Sequence, residues 1–169
     1  MTSLRQVNAA NITGSNTINS DSSTQQVYNA DDTSLTITDS STLSRSGAAP
    51  VNINGQDNGT LTINSGSTVT STASNAVQGK DQSGLIITNS GTINADGSKA
   101  INLLNAQSST ITNKSGGTIF ANTNAIVQQS AGTEDAENTT ITNAGTGYTQ
   151  ATITVSGGGG SNGAIKAII

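Results

Sequence analysis

The side chains with chemical reach in this chain are carboxylates and hydroxyls, because it contains no histidine and no cysteine. That removes histidine-based triads, histidine metal sites and thiolate chemistry at the outset. Two acidic groups remain as candidates for acid–base work: Asp31-Asp32, and Glu134-Asp135 with Glu137. Neighbouring carboxylates on an extended segment point to opposite sides, and the second group lies in an inserted stretch, so both read as solvated acidic loops. The glycine run from Gly157 to Gly160 lacks the Lys-Ser/Thr ending and following helix of a phosphate loop, and calcium-binding GxGxD repeats do not occur. Tyr28, Tyr148 and Phe120 are the only aromatics available to a sugar platform. No catalytic residue, cofactor or metal is expected.

The hydroxyls are more orderly. Thr36 and Thr38, Thr110 and Thr112, and Thr140 and Thr142 each flank an isoleucine. On a strand the isoleucine would face inward and both hydroxyls outward. Paired outward threonines of this kind resemble the ranks that ice-binding solenoids carry on one wall. Asn64 and Ile86 occupy what the spacing makes equivalent slots, so the array is expected to be interrupted twice. Threonine also favours exposed strand positions in its own right, and ice binding ranks third among the functional readings.

Any such face depends on the elements beneath it. Residues 85–110, LIITNSGTINADGSKAINLLNAQSST, contain three short apolar pulses separated by Asn, Ser, Gly and Asp. Alternation, β-branched residues and brief turns predict three strands. Strands this short cannot bury a core alone, and the chain repeats them. Ile12, Ile37, Ile63, Ile87, Ile111 and Ile141 recur at intervals of 25, 26, 24, 24 and 30 residues. The second pulse recurs as Thr17-Ile18, Thr42-Leu43, Thr68-Val69, Thr92-Ile93 and Thr118-Ile119, and the third around Val27, Val51, Val77, Ile101 and Ile126. A period in the twenties marks a solenoid. The expected fold is all-β: a parallel β-helix (β-solenoid) of about five three-strand turns of roughly 24–26 residues. Its six repeating isoleucines would stack in one core column. Two residues after most of them, Asp39, Ser65, Asn89, Asn113 and Asn143 predict a polar corner column, since Asn and Asp accept left-handed backbone.

The composition agrees. Hydrophobic residues are 31% of the chain, below the usual ~45–50%, yet charged residues are only 9% and there is one proline, unlike a disordered tract. A net charge of -4 with six basic residues and no basic run argues against a nucleic-acid partner. No stretch approaches the ~20 apolar residues of a membrane span, so no membrane is expected. Residues 1–10 lack an apolar leader segment, and synthesis in the cytoplasm is expected.

Three segments follow: an N-terminal arm or cap at 1–10, a solenoid at 11–143, and a glycine-rich capping or association segment at 144–169. The last is expected as two strands joined by a glycine loop, a β-hairpin-like cap ending on Ile168-Ile169. Those two residues, with Ile86 and Phe120 in outward slots, form the candidate association surface. A column this short is marginal alone, so a homo-oligomer is expected, a trimer being favoured.

The repeats, best seen in ITNSGTINADGSKAI at 87–101, resemble the passenger β-helices of bacterial autotransporter adhesins across residues 11–143. The tail GTGYTQATITVSGGGGSNGAIKAII at 145–169 resembles a glycine-rich motif of tail and fibre proteins of tailed bacteriophages. The tail resemblance implies a non-enzymatic structural protein of the virion, either a fibre segment or a capsid or tail decoration. It would be made in the host cytoplasm, touch other virion proteins, and could present its walls to a host surface glycan or receptor. The first resemblance implies the alternative, an extracellular cell-surface adhesin or filament subunit.

Overall fold

The structure is a computed structural model that describes residues 9–130 and 138–145, with the backbone of 155–156 and 167–168. Among the described residues no helix is long and apolar enough to cross a membrane. The chain winds as a three-walled prism. A first, incomplete turn holds β1 (Ala9–Ile12), β2 (Ser15–Ile18) and β3 (Gln25–Tyr28). The next two turns are β4 (Ser34–Ile37), β5 (Thr42–Arg45), β6 (Val51–Asn54), then β7 (Thr60–Ile63), β8 (Thr68–Ser71), β9 (Val77–Lys80). Two more hold β10 (Ile86–Asn89), β11 (Thr92–Ala95), β12 (Ile101–Leu104), then β13 (Thr110–Asn113), β14 (Thr118–Ala121), β15 (Ile126–Gln129). Last come β16 (Thr140–Asn143), β17 (Val155–Ser156) and β18 (Ala167–Ile168).

Wall A is the sheet β1-β3-β6-β9-β12-β15-β17, wall B is β2-β4-β7-β10-β13-β16-β18, and wall C is β5-β8-β11-β14. Neighbours within each wall run parallel. In the first turn wall C is represented only by the bridge between Ser22 and Leu43. Among the described residues the expected five turns are therefore four complete ones, with a partial turn before them and β16–β18 after them. β17 lies parallel to β15 and β18 parallel to β16. The expected hairpin-like cap is instead one more strand on each of two walls.

Each strand alternates as its sequence dictates. In β7, Leu61 and Ile63 are fully buried while Thr60 and Thr62 stand on the outer face. The inward residues merge into a single cluster running from Ile12 to Ile119. Corners join the ladder as well: Asn58 N–H donates to Ser83 O at 2.8 Å and Gly84 N–H to Gln107 O at 3.0 Å. Even the loops thus satisfy their backbone against the turn above, as burial of main chain requires.

The register of wall B departs from the isoleucine spacing. β4 sets Leu35 against Leu61 and Ile37 against Ile63 in β7. β7 then sets Leu61 against Ile87 and Ile63 against Asn89, and Ile87 continues to Ile111 and Ile141. The expected core column of Ile37, Ile63, Ile87, Ile111 and Ile141 is therefore split between two files. One is Leu35, Leu61, Ile87, Ile111 and Ile141; the other is Ile18, Ile37, Ile63, Asn89, Asn113 and Asn143. Ile12 belongs to neither, because it sits on wall A opposite Tyr28.

Loop length explains the shift. The crossings from wall A to wall B are residues 29–33, 55–59, 81–85 and 105–109, five in each. Each turns through a left-handed fourth residue: Asp32, Asn58, Gly84 or Ser108. Keeping that loop constant places Ile87 above Leu61. The missing two residues are taken from the next corner, which is Ser90-Gly91 after β10 but four residues (38–41, 64–67 and 114–117) after β4, β7 and β13. Wall A has its own departure, since Gln26 rather than Val27 shares the inward file of Val51, Val77 and Ile101. The polar corner column does not form either. Asp39 is left-handed in its corner, whereas Asn89 and Asn113 lie in strands, at most 1% exposed.

Candidate functional site

Corrected register turns scattered threonines into a surface. On the outside of wall B, Thr17, Thr36, Thr62, Thr88, Thr112 and Thr142 form one file, a threonine on every strand from β2 to β16. Beside it run Ser15, Ser34, Thr60, Ile86, Thr110 and Thr140. Eleven of these twelve slots carry a hydroxyl and none carries a charge. The eleven hydroxyls make no side-chain hydrogen bond to another described residue. Neighbouring ranks are about 4.8 Å apart, and slots within a rank about 6.7 Å.

Asn64, expected to interrupt the array, lies past the end of β7 and donates from Nδ2 to Thr38 Oγ1 at 3.1 Å. Neither residue belongs to the face. Ile86 does interrupt it and is 45% exposed. Thr62 and Thr88 are the members that isoleucine spacing misses. The signal for them is a Leu/Ile-Thr-Ile/Asn triplet at 35–37, 61–63, 87–89, 111–113 and 141–143, whose central threonine keeps the structural register.

The other outer faces differ. Wall C carries Thr42, Thr68, Thr92 and Thr118 in one file, and Ser44, Thr70, Asn94 and Phe120 in the other. Phe120 is 50% exposed. The expected association surface is thus not one apolar column, because Ile86 stands on wall B and Phe120 on wall C, each beside hydroxyl or amide side chains. The Ile168 backbone pairs with Thr142, while its side chain and the whole of Ile169 lie outside the described residues. Wall A presents amides, Asn52, Gln78 and Asn102, with Asn102 Nδ2 donating to Gln78 Oε1 at 3.1 Å.

The acidic candidates hold corners together. Asp31 Oδ1 accepts the Asp57 N–H at 2.8 Å, and Asp57 Oδ1 accepts the Ser83 N–H at 2.7 Å. Asp32 supplies one of the left-handed turns. Glu134, Asp135, Glu137 and the glycine run 157–160 lie outside the described residues. A hollow of about 500 Å³ at the A–B corner is lined by Asp57, Asp81, Gln82, Ser83, Asn105 and Gln107. Its two carboxylates are already engaged. Asp57 caps backbone, and Asp81 accepts from Asn105 at 2.6 Å and pairs with Lys80 at 3.2 Å, which together hold its carboxyl below the ordinary 3.8. Among the described residues no group of three side chains could hold a metal ion. Tyr28 is buried, and burial pushes its phenol far up; its hydroxyl donates to Thr60 O at 2.7 Å, a structural tie between walls.

Comparison with protein-family models, with curated proteins and with solved structures finds no match to this chain.

Proposed function

We propose that this chain is a non-enzymatic structural protein of a tailed-phage virion, a fibre segment or a capsid or tail decoration. The observation that carries the mechanical half of this reading is the parallel ladder. Three walls are hydrogen-bonded from turn to turn, and the loops between them are bonded as well. Such a prism resists bending and proteolysis because few backbone groups are left to open independently. Asp31 and Asp57 serve corners, and that supports a role without turnover.

The virion half rests on the resemblance of residues 145–169 to phage tail and fibre motifs. The resemblance of residues 11–143 to adhesin passengers supports the second reading, a cell-surface adhesin or filament subunit. On the particle the chain is a homo-oligomer, with a trimer favoured and Phe120 on wall C as a contact. Mass spectrometry of density-purified phage particles and of outer-membrane fractions separates the two readings. Peptides of this chain in particles support the first; peptides confined to membrane fractions overturn it. A sedimentation mass equal to the 16.8 kDa monomer at micromolar concentration removes the oligomer.

A further inference from the structure

We infer that the outer face of wall B binds ice, through the two files of hydroxyl-bearing side chains from β2 to β16. The first support is two-dimensional order. Parallel pairing locks the ranks at about 4.8 Å and the slots within each rank at about 6.7 Å, so the face repeats in both directions over six strands. A protein partner is met by irregular clusters of aromatic and arginine anchors, and this face has none. A periodic, uncharged surface suits a periodic, uncharged partner.

Chemistry narrows the partner further. Threonine offers one donor, two acceptor lone pairs and a methyl at every lattice point, and the hydroxyls have no partner among the described residues. β-branching stiffens χ1, and packing along the file leaves Thr36, Thr62, Thr88 and Thr112 only partly exposed. Hydroxyls and methyls are therefore placed before any water arrives, which removes much of the ordering cost of binding. Each contact is weak, but eleven points on one rigid face act together. Crystalline polysaccharide is the other periodic partner, and it is held by aromatic rings stacked on sugar faces. Among the described residues no aromatic side chain stands on wall B.

Ile86 supplies the sharpest handle, because it keeps the β-branched methyl but lacks the hydroxyl. The test measures thermal hysteresis and partition into a growing ice hemisphere for the full chain and three variants. Circular dichroism and urea midpoints verify that each variant folds. Wild type is expected to show hysteresis, Ile86→Thr to exceed it, and Thr62→Lys in the centre of the threonine file to lose it. Asn54→Lys, an exposed substitution on wall A in the preceding strand, is expected to retain it. Absence of hysteresis in both wild type and Ile86→Thr overturns the inference. So does retention by folded Thr62→Lys, or co-sedimentation with crystalline cellulose or chitin in place of ice. None of these outcomes bears on whether the chain resides in a virion.

Discussion

From β2 to β7 the second inward file of wall B is isoleucine, with Ile18, Ile37 and Ile63 stacked; from β10 onward the same file is asparagine, with Asn89, Asn113 and Asn143. Both halves fill the same edge of the prism, and they do so by different physics. The isoleucines contribute non-directional burial. The asparagines form a chain of side-chain bonds, Asn89 Nδ2 to Asn113 Oδ1 at 2.8 Å and Asn113 Nδ2 to Asn143 Oδ1 at 2.9 Å. They also capture corner backbone: Asn89 Nδ2 reaches Gly91 O at 3.2 Å and Thr118 O at 3.0 Å, and Asn113 Nδ2 reaches Gly117 O at 3.0 Å. The four-residue corners close alike in both halves: Ser41 N–H and Ser67 N–H bond Thr38 O and Asn64 O, each at 3.0 Å, and Gly117 N–H bonds Lys114 O at 2.9 Å. Asparagine enters this file where the corner shrinks to Ser90-Gly91 and main chain from adjacent turns converges.

The most damaging way to break this comparison is at Gly91. A Cβ there would run into the main-chain oxygens of Ser67 and Asn64, and would come within 2.9 Å of Ile63 Cγ2. Backbone cannot yield as a side-chain tip can. Gly91→Ala is expected to destabilise the chain by about 4 kcal/mol or to prevent folding, at the extreme of single substitutions. Alanine at Gly14, where a Cβ meets nothing, has only its positive φ to overcome, and about 1 kcal/mol is expected there. Equal urea midpoints for the two variants would show that the short corner is not tight.

Next in size are truncations of the two halves. Ile63→Ala should cost about 3 kcal/mol through lost burial and a cavity. Asn113→Ala should cost a similar amount, about 3 kcal/mol, by removing three buried hydrogen bonds, those to Asn89, Asn143 and the Gly117 carbonyl, and leaving a cavity. Replacement by leucine separates the mechanisms. Ile63→Leu keeps the volume and should lose less than about 1.5 kcal/mol. Asn113→Leu should recover little relative to alanine, because hydrogen bonds rather than volume are what the slot mainly supplies. A leucine at 113 that restores the wild-type urea midpoint would make the asparagine ladder incidental.

How far the winding could be read from the chain follows from the same two halves. Three pulses per turn, inward Leu35 and Leu61, and outward Ile86 and Phe120 were all legible, because alternation and turn residues act locally. Register was not. Ile63 and Ile87 carry the same letter 24 residues apart, and aligning them hides a two-residue loss in the corner that follows β10. A loop of constant length outweighs identity of side chain, because shifting it would undo the left-handed turns at Asp32, Asn58, Gly84 and Ser108 together. The threonine face is legible only as an array with two interruptions for the same reason, since the misplaced register puts Asn64 where Thr62 stands. The asparagines read from the sequence as a polar corner column rather than as strand residues, because Asn in a turn is the commoner event.

Gln82 extends the comparison to a buried amide without partners. It is 3% exposed, and neither Nε2 nor Oε1 has a hydrogen-bond partner among the described residues. It packs toward Gly79, where a Cβ would lie 3.1 Å from its Nε2 and 2.9 Å from Leu103 Cδ2. An amide that is desolvated and unpaired costs about 1–3 kcal/mol. Gln82→Met, similar in length and apolar, is expected to raise stability by about 1 kcal/mol, whereas Asn89→Met lowers it. A lowered urea midpoint for Gln82→Met would mean that this amide is satisfied after all.

The smallest effect belongs to the solvent-side version of the rung, where Asn105 Nδ2 donates to Asp81 Oδ1 at 2.6 Å. Geometry matches the buried Asn89–Asn113 bond, but the Asp81 side chain is exposed to solvent, and water competes for both partners. The Asn105 hydrogen bond first, then Lys80, depresses the Asp81 pKa below 3.8. A carboxyl with a depressed folded pKa binds its proton more readily when unfolded. Its stabilisation is therefore present above pH 3.8 and lost as pH falls through the lower folded value. Asp81→Asn is expected to lower the melting temperature slightly at neutral pH and not at all once pH is well below that folded value. The difference should shrink with added salt as the Lys80 pairing is screened. Asn113→Ala, whose lost bonds involve no ionisable group, should show neither dependence, and a pH-dependent penalty there would erase the distinction between the two rungs.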